Sequence, residues 1–229
     1  MKSVRVQNYR SVEDSGEFKV EKVTCLVGKN EAGKSAILQA LYKLNPSVKE
    51  DAQFDDINEY PRRTLADYKR RKKEKPDNVV TTVWELQDDD VAVLSETIGE
   101  KGLHTRMITI QKGYDNVQRW GIDLDEKAIV KQLLSQTPLD KNEASALKGE
   151  ETVADLLKAL SSTQPQSERH VKFLQELQTK LGKGTIDGAV QKVLKPLLPT
   201  FLYFADYQKM KGKVAIDDVL SRRGHNKID

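Results

Sequence analysis

Apolar and polar positions alternate with period two over residues 2–9, setting Val4 and Val6 on one face and predicting a strand. A polar turn over residues 11–16 leads to a second short strand at residues 17–20. Residues 22–27 are almost wholly apolar (Val23, Cys25, Leu26 and Val27 around Thr24), the pattern of a strand buried on both faces. Cys25 is accordingly expected in the core. From residue 36 the period becomes helical, with Ile37, Leu41 and Leu44 on one stripe, and Asn45-Pro46 closes that helix. Residues 46–78 keep neither period and are expected to be irregular or surface-exposed. Residues 78–86 predict a strand through Val79, Val80, Val83, Trp84 and Leu86, followed by a polar turn at Asp88-Asp89-Asp90. Residues 103–111 and 116–122 predict a hairpin about Lys112-Gly113-Tyr114-Asp115.

Beyond residue 125 the spacing is helical. Ile129, Leu133 and Leu134 form one stripe, Val153, Leu156, Leu157 and Leu160 a second, and Val171, Leu174, Leu177 and Leu181 a third. Gly182-Lys183-Gly184 interrupts the run before a last helix through Val190, Val193, Leu194 and Leu197. Phe201-Leu202-Tyr203-Phe204 then predicts a buried strand. The fold class expected is α/β: a phosphate-loop strand in a mixed sheet, an antiparallel N-terminal arm and a helical insertion. The division expected is residues 1–124 as an N-terminal ATPase lobe, 125–199 as a helical insertion offering a dimerisation or partner face, and 200–229 as a returning strand that begins a second lobe.

Composition narrows the class. A chain of 229 residues can bury a core without covalent staples, and one cysteine excludes an internal disulfide framework and fits a reducing compartment. With 38% hydrophobic and 32% charged residues, no apolar run approaches the roughly 18 residues of a spanning helix. No membrane association is expected, no apolar leader precedes the first strand, and the cytoplasm is the default location. A net charge of +3 decides no partner by itself.

Chemistry concentrates at Gly28-Lys29-Asn30-Glu31-Ala32-Gly33-Lys34-Ser35, which matches G-x-x-x-x-G-K-[ST]. The glycines permit a curved backbone that other residues resist. Successive amides then converge as an anion nest, reinforced by the positive end of the helix that starts there. Lys34 is placed to reach the β- and γ-phosphates, and the Ser35 hydroxyl to ligate magnesium. The bland alternative is a glycine turn that happens to precede a helix. Average residue usage gives this bare pattern odds on the order of one in a hundred in such a chain. An apolar strand before it and an amphipathic helix after it favour a nucleoside triphosphate site, with ATP and Mg2+ as the expected ligands.

The stretch from Val4 to Leu44, with Asn8-Tyr9-Arg10-Ser11 ahead of the glycine loop and an Ala-Leu helix after it, resembles the start of ABC-type ATPase heads of the SMC, RecF and OLD (overcoming-lysogenization-defect) kind. Residues 199–219 are similar to a segment of OLD-like ATPases, the nearest subgroup, in which a strand ends in an acidic-aromatic loop. The resemblance covers about 45 residues at the N-terminus and about 20 later. It implies an ATP-driven head that dimerises around nucleotide and acts on DNA, in repair or in defence against phage. It places Arg10 near the phosphates and Asn30, Glu31, Ala32 and Ala36 on the nucleotide loop. Gln208 or Asp206 falls where a residue sensing magnesium and the attacking water would lie; a plain surface-loop residue is the alternative for both.

Heads of that kind also carry an LSGG-like signature, an apolar strand ending in Asp-Glu and a switch histidine, and this sequence has none of them. Asp217-Asp218 follows only Val214-Ala215-Ile216, too short and too early for the acidic strand. The Toprim metal domain of OLD nucleases is missing too. The expectation is therefore a half-head without the C-terminal half, with hydrolysis completed by residues elsewhere and a nuclease or Toprim-domain partner possible. Two alternatives stand beside it: a non-hydrolysing nucleotide-binding assembly module, and a P-loop kinase acting on a small molecule.

Charge is segregated after the first helix. Residues 49–59 hold five carboxylates against Lys49, whereas residues 62–75 hold Arg62, Arg63, Lys69, Arg70, Arg71, Lys72, Lys73 and Lys75 against Asp67 and Glu74. That basic run is either a DNA contact that releases counterions or a solvated loop paired with the acidic stretch before it. His104, His170 and His225 lack metal-ligand spacing and receive no role.

Overall fold

The computed structural model describes residues 1–136, 149–162, 167–181 and 185–204, with Leu139, Ser145 and Leu147 between. Its centre is an antiparallel sheet in the order β2-β1-β4-β5-β6, with β3 also on β1. The strands are β1 (Ser3–Tyr9), β2 (Val12–Asp14), β3 (Phe18–Lys19), β4 (Asn78–Glu85), β5 (Leu103–Gly113) and β6 (Gln118–Leu124). The period-two pattern of β1 does what it predicts: Val4 and Val6 are fully buried, and Val6 pairs with Val80 of β4. Trp84 of β4 faces Ile108 of β5, and Ile110 faces Trp120 of β6, so one sheet face is a band of large apolar side chains.

Helices close the faces. α1 (Lys34–Tyr42) packs on β1 and β4 through Ala36 and Ala40, whose small side chains let the helix axis come close. The fold is α/β, as expected. The helical period after residue 125 resolves into α5 (Glu126–Ser135), α6 (Val153–Ser162), α7 (Glu168–Leu181) and α8 (Ile186–Leu194) in chain order. They bury much of the stripes their sequence carries, Ile129, Val153, Leu156, Leu160, Leu177, Leu181, Val190 and Leu194 among them, but Val171 and Leu197 are exposed, and α8 packs on β6 and on α4 (Asp88–Ile98). Asp125 caps α5 by accepting from the Ala128 amide at 2.9 Å.

Four expectations need correction. Residues 22–27 form no strand and pair with nothing in the sheet; Val23 is 88% exposed, Val27 90%, and Cys25 is exposed, not core. Phe201 makes one isolated parallel bridge to Pro46, while Leu202 and Phe204 stand in solvent. An apolar run states what a segment would bury but not which strand pairs with it, and none of the described strands pairs with residues 22–27. Residues 46–78 are not simply surface: they contain α2 (Asp56–Glu59) and α3 (Leu65–Arg71) and bury Phe54, Glu59, Tyr60 and Tyr68. Finally, Asp88-Asp89-Asp90 is the first turn of α4, where carboxylates meet the positive helix end and Asp90 accepts from the Gln87 amide at 2.9 Å.

Candidate nucleotide site

The glycine loop ends where the sequence places it, at the N-terminus of α1. Gly33 is the residue before the helix and adopts φ 88°, a left-handed conformation that L side chains resist. Its hydrogen face lies against the turn between β1 and β2. A Cβ there would come 2.6 Å from Val12 Cγ2 and 3.4 Å from Ser11 Oγ. Glu31 is also left-handed, at φ 67°. The first helical amide bond is Ile37 N–H to the Gly33 carbonyl at 2.9 Å, so the amides of Lys34, Ser35 and Ala36 have no intrahelical acceptor.

Lys34 bridges the loop's mouth. Its ammonium donates to the carbonyls of Gly28 at 2.8 Å and Lys29 at 2.7 Å, which leaves one proton unassigned. Gly28, Asn30, Glu31, Ala32 and Ser35 are exposed around it, and Ala36 is buried beneath. Free helical amides, a left-handed glycine, a lysine donating across the loop and an exposed serine hydroxyl make a donor-rich segment whose chemistry suits a phosphate chain. The apolar strand expected before the loop is the one piece of that local pattern that is missing.

The turn pressing on Gly33 is held from several sides. Asn8 and Arg10 both have positive φ, 51° and 53°, and flank the fully buried Tyr9. Tyr114 donates its hydroxyl to the Asn8 carbonyl at 2.5 Å, and the Arg10 amide donates to the Glu59 carbonyl at 2.6 Å. Glu59 is the hub: its carboxylate accepts from Tyr9 Oη at 2.9 Å, from Lys43 Nζ at 2.8 and 2.9 Å, and from Arg10 at 3.4 Å. Burial pushes the Glu59 carboxyl up, but the Lys43 ammonium and the Asp55 amide outweigh it and hold the group below its ordinary range. Sequence reasoning missed Glu59, because nothing in its spacing distinguishes it from the four other carboxylates nearby.

Arg10 also donates to Gln39 Oε1. Gln39 is four residues after Ser35, on the same face of α1 one turn further along, so the guanidinium rests beside the helix that carries the loop. Asp206 and Gln208 lie outside the described residues, as do Asp217, Asp218 and His225. His170 is buried and its Nε2 lies 2.8 Å from the Leu160 carbonyl, a packing role between α7 and α6.

A family model for the AAA ATPase domain matches residues 1–183. The chain belongs to the AAA ATPase domain family. No curated protein and no solved structure matches it. Nucleotide binding goes with membership of this ATPase family. No helix among the described residues of this AAA ATPase domain is long and apolar enough to cross a membrane.

The basic run of the domain divides in two. Arg71 grips Asp77 with a two-pronged contact at 2.7 Å each, Lys72 pairs with Asp56 at 2.6 Å, and Arg70 and Arg63 make longer pairs with Asp67 and Glu13. Among the described residues Arg62, Lys69, Lys73 and Lys75 have no ion-pair partner, and all four are exposed. Part of the run therefore ties α3 down, and part carries no ion pair among the described residues.

Proposed function

We propose that the loop at residues 28–35 binds ATP with magnesium and that the chain is the nucleotide-binding part of an OLD- or SMC-like ATPase acting on DNA, in repair or in defence against phage. The observation that carries the reading is the left-handed Gly33 pressed on Val12 at the head of α1, with Lys34 and Ser35 next in line. Bound nucleotide with magnesium supplies a phosphoanhydride whose cleavage releases energy. The amides of Lys34, Ser35 and Ala36 orient the phosphate oxygens, Lys34 exchanges the Gly28 and Lys29 carbonyls for them, and Ser35 Oγ holds the metal. Arg10, which donates to Gln39, adds a second cation.

The remaining chemistry is assigned outside the described residues, to Asp206 or Gln208 and to an acidic strand and signature supplied by other chain segments. In this reading residues 125–199 form the dimerisation or partner face, a nuclease or Toprim-type protein is a partner, and Arg62, Lys69, Lys73 and Lys75 contact DNA phosphates.

Titration with ATP and an assay of phosphate release by this chain test the reading together. Saturable binding without appreciable turnover is expected, and Lys34→Ala should weaken that binding about 10- to 100-fold by removing a charge-assisted contact. Unaltered affinity in Lys34→Ala contradicts the site. Sustained turnover contradicts the assignment of hydrolysis to other segments.

A further inference from the structure

At the far end of α1 from the phosphate loop, a cavity of about 540 Å³ opens between the Leu44-Asn45-Pro46 corner, the start of β6 and the end of α8. Its lining is of one sign. Lys49, Lys112 and Lys195 contribute three ammonium groups, Asn116, Gln118 and Gln191 contribute amides, and no carboxylate lines it among the described residues.

Lys112 is the unusual member. It is 5% exposed, yet among the described residues its Nζ meets no carboxylate; it donates to the carbonyls of Lys43 at 2.8 Å and Ala52 at 2.5 Å, leaving one proton unassigned. Buried cations are ordinarily paired with an anion. Lys43, another cation, shares the Phe54 ring with it, and Glu59 is already committed to Lys43, Tyr9 and Arg10. Burial, then the Lys43 charge, bring the Lys112 ammonium down to about 8. Lys195 is exposed at the rim and has no partner among the described residues, and Lys49 donates only to the Asn45 amide oxygen at 3.1 Å.

We infer that this cavity is a second anion site, taking a phosphate group that completes the third donor of Lys112 and draws in Lys49 and Lys195. Lysines act as point charges well suited to phosphate. The site avoids an obvious obstacle, the negative C-terminal end of α1, because Lys112 already covers the Lys43 carbonyl there. The volume exceeds what bare phosphate needs and lies in the range of small-molecule sites, so the group arrives either free or esterified to a small molecule.

The test uses orthophosphate and glycerol phosphate as separate probes, reading the melting temperature at constant ionic strength in the wild type, Lys34→Ala, Lys195→Ala and Lys112→Met. Stabilisation by either probe is expected in the wild type and is retained in Lys34→Ala, which separates this site from the phosphate loop. A response to orthophosphate alone assigns a free ion, a response to the ester alone an esterified ligand, and both outcomes support the site. Lys195→Ala should weaken binding about tenfold. If Lys112→Met does not fold, the exposed Lys195 decides. No stabilisation beyond that given by chloride overturns the inference. So does a response that Lys195→Ala leaves intact, or one that disappears only in Lys34→Ala.

Discussion

Gly33 stands against Val12 so closely that one added carbon atom would come 2.6 Å from the valine methyl. The loop that ends in Gly33 is therefore shaped by the turn after β1 as well as by its own glycines, and the turn is held by Glu59, Tyr114 and the Arg10 amide.

Gly33→Ala should cost about 1–2 kcal/mol for the left-handed conformation alone, plus the cost of moving a β-branched neighbour. Denaturant unfolding and ATP titration are expected to show loss of both stability and affinity. Adding Val12→Ala should recover part of the stability, because it relieves the clash and leaves the backbone strain. Full tolerance of Gly33→Ala would show that the loop does not adopt this path.

Removing the Glu59 side chain leaves the mostly buried Lys43 ammonium without its anion and takes a longer contact from the half-exposed Arg10. Glu59→Ala is expected to destabilise by about 3–5 kcal/mol, measured by urea unfolding. The folded carboxyl titrates below its unfolded value, so its contribution is complete above about pH 4.3 and is lost as pH falls through the folded value. Glu59→Gln should flatten that acid limb.

The alkaline limb has two parts of opposite sign. Lys112 sits at about 8 when folded, against about 10.4 unfolded, so the unfolded chain holds the extra proton between those values and stability rises with pH across that window. The charges governing it are Lys43 beside it and Glu59 behind Lys43. Burial raises the Tyr9, Tyr60 and Tyr114 hydroxyls, Tyr60 to about 12, so above about pH 10 the unfolded tyrosines ionise first and stability falls. Lys112→Met should abolish the rise and keep the fall, as read by unfolding midpoints from about pH 7 to about pH 11.

For the proposed DNA contact, Arg62, Lys69 and Lys73, three of the run's four charges with no ion pair among the described residues, are the ones to change. Replacing all three with Glu should weaken duplex binding and reduce the slope of log affinity against log salt by about three. Arg71→Ala should instead lower stability, because its fork holds Asp77 and, through it, Tyr60. Equal salt slopes in the triple variant and the wild type would remove the patch from the interface.

Periodicity made β1, β4, the β5–β6 hairpin, α1 and the helical stripes after residue 125 legible, because each buries one face and the pattern records which. The nucleotide loop was legible because its glycines and lysine are required by conformation and charge. What escaped was relational. Tyr60 and Tyr68 stack at 4.3 Å inside a segment whose charge masks its aromatic core, and Glu59 gains its importance only from Tyr9, Arg10 and Lys43 arriving from elsewhere. Residues 22–27 misled in the opposite sense: their apolar run carries strand potential, but no described strand pairs with them.

The most direct measurement is an amide-resolved titration of the isotopically labelled chain with a non-hydrolysable ATP analogue and magnesium. The account predicts that the largest, saturable shifts fall on the backbone amides of Gly33, Lys34, Ser35 and Ala36, with smaller ones at Ser11 and Val12. Saturable binding that leaves those amides unmoved, or no binding at all, would contradict it.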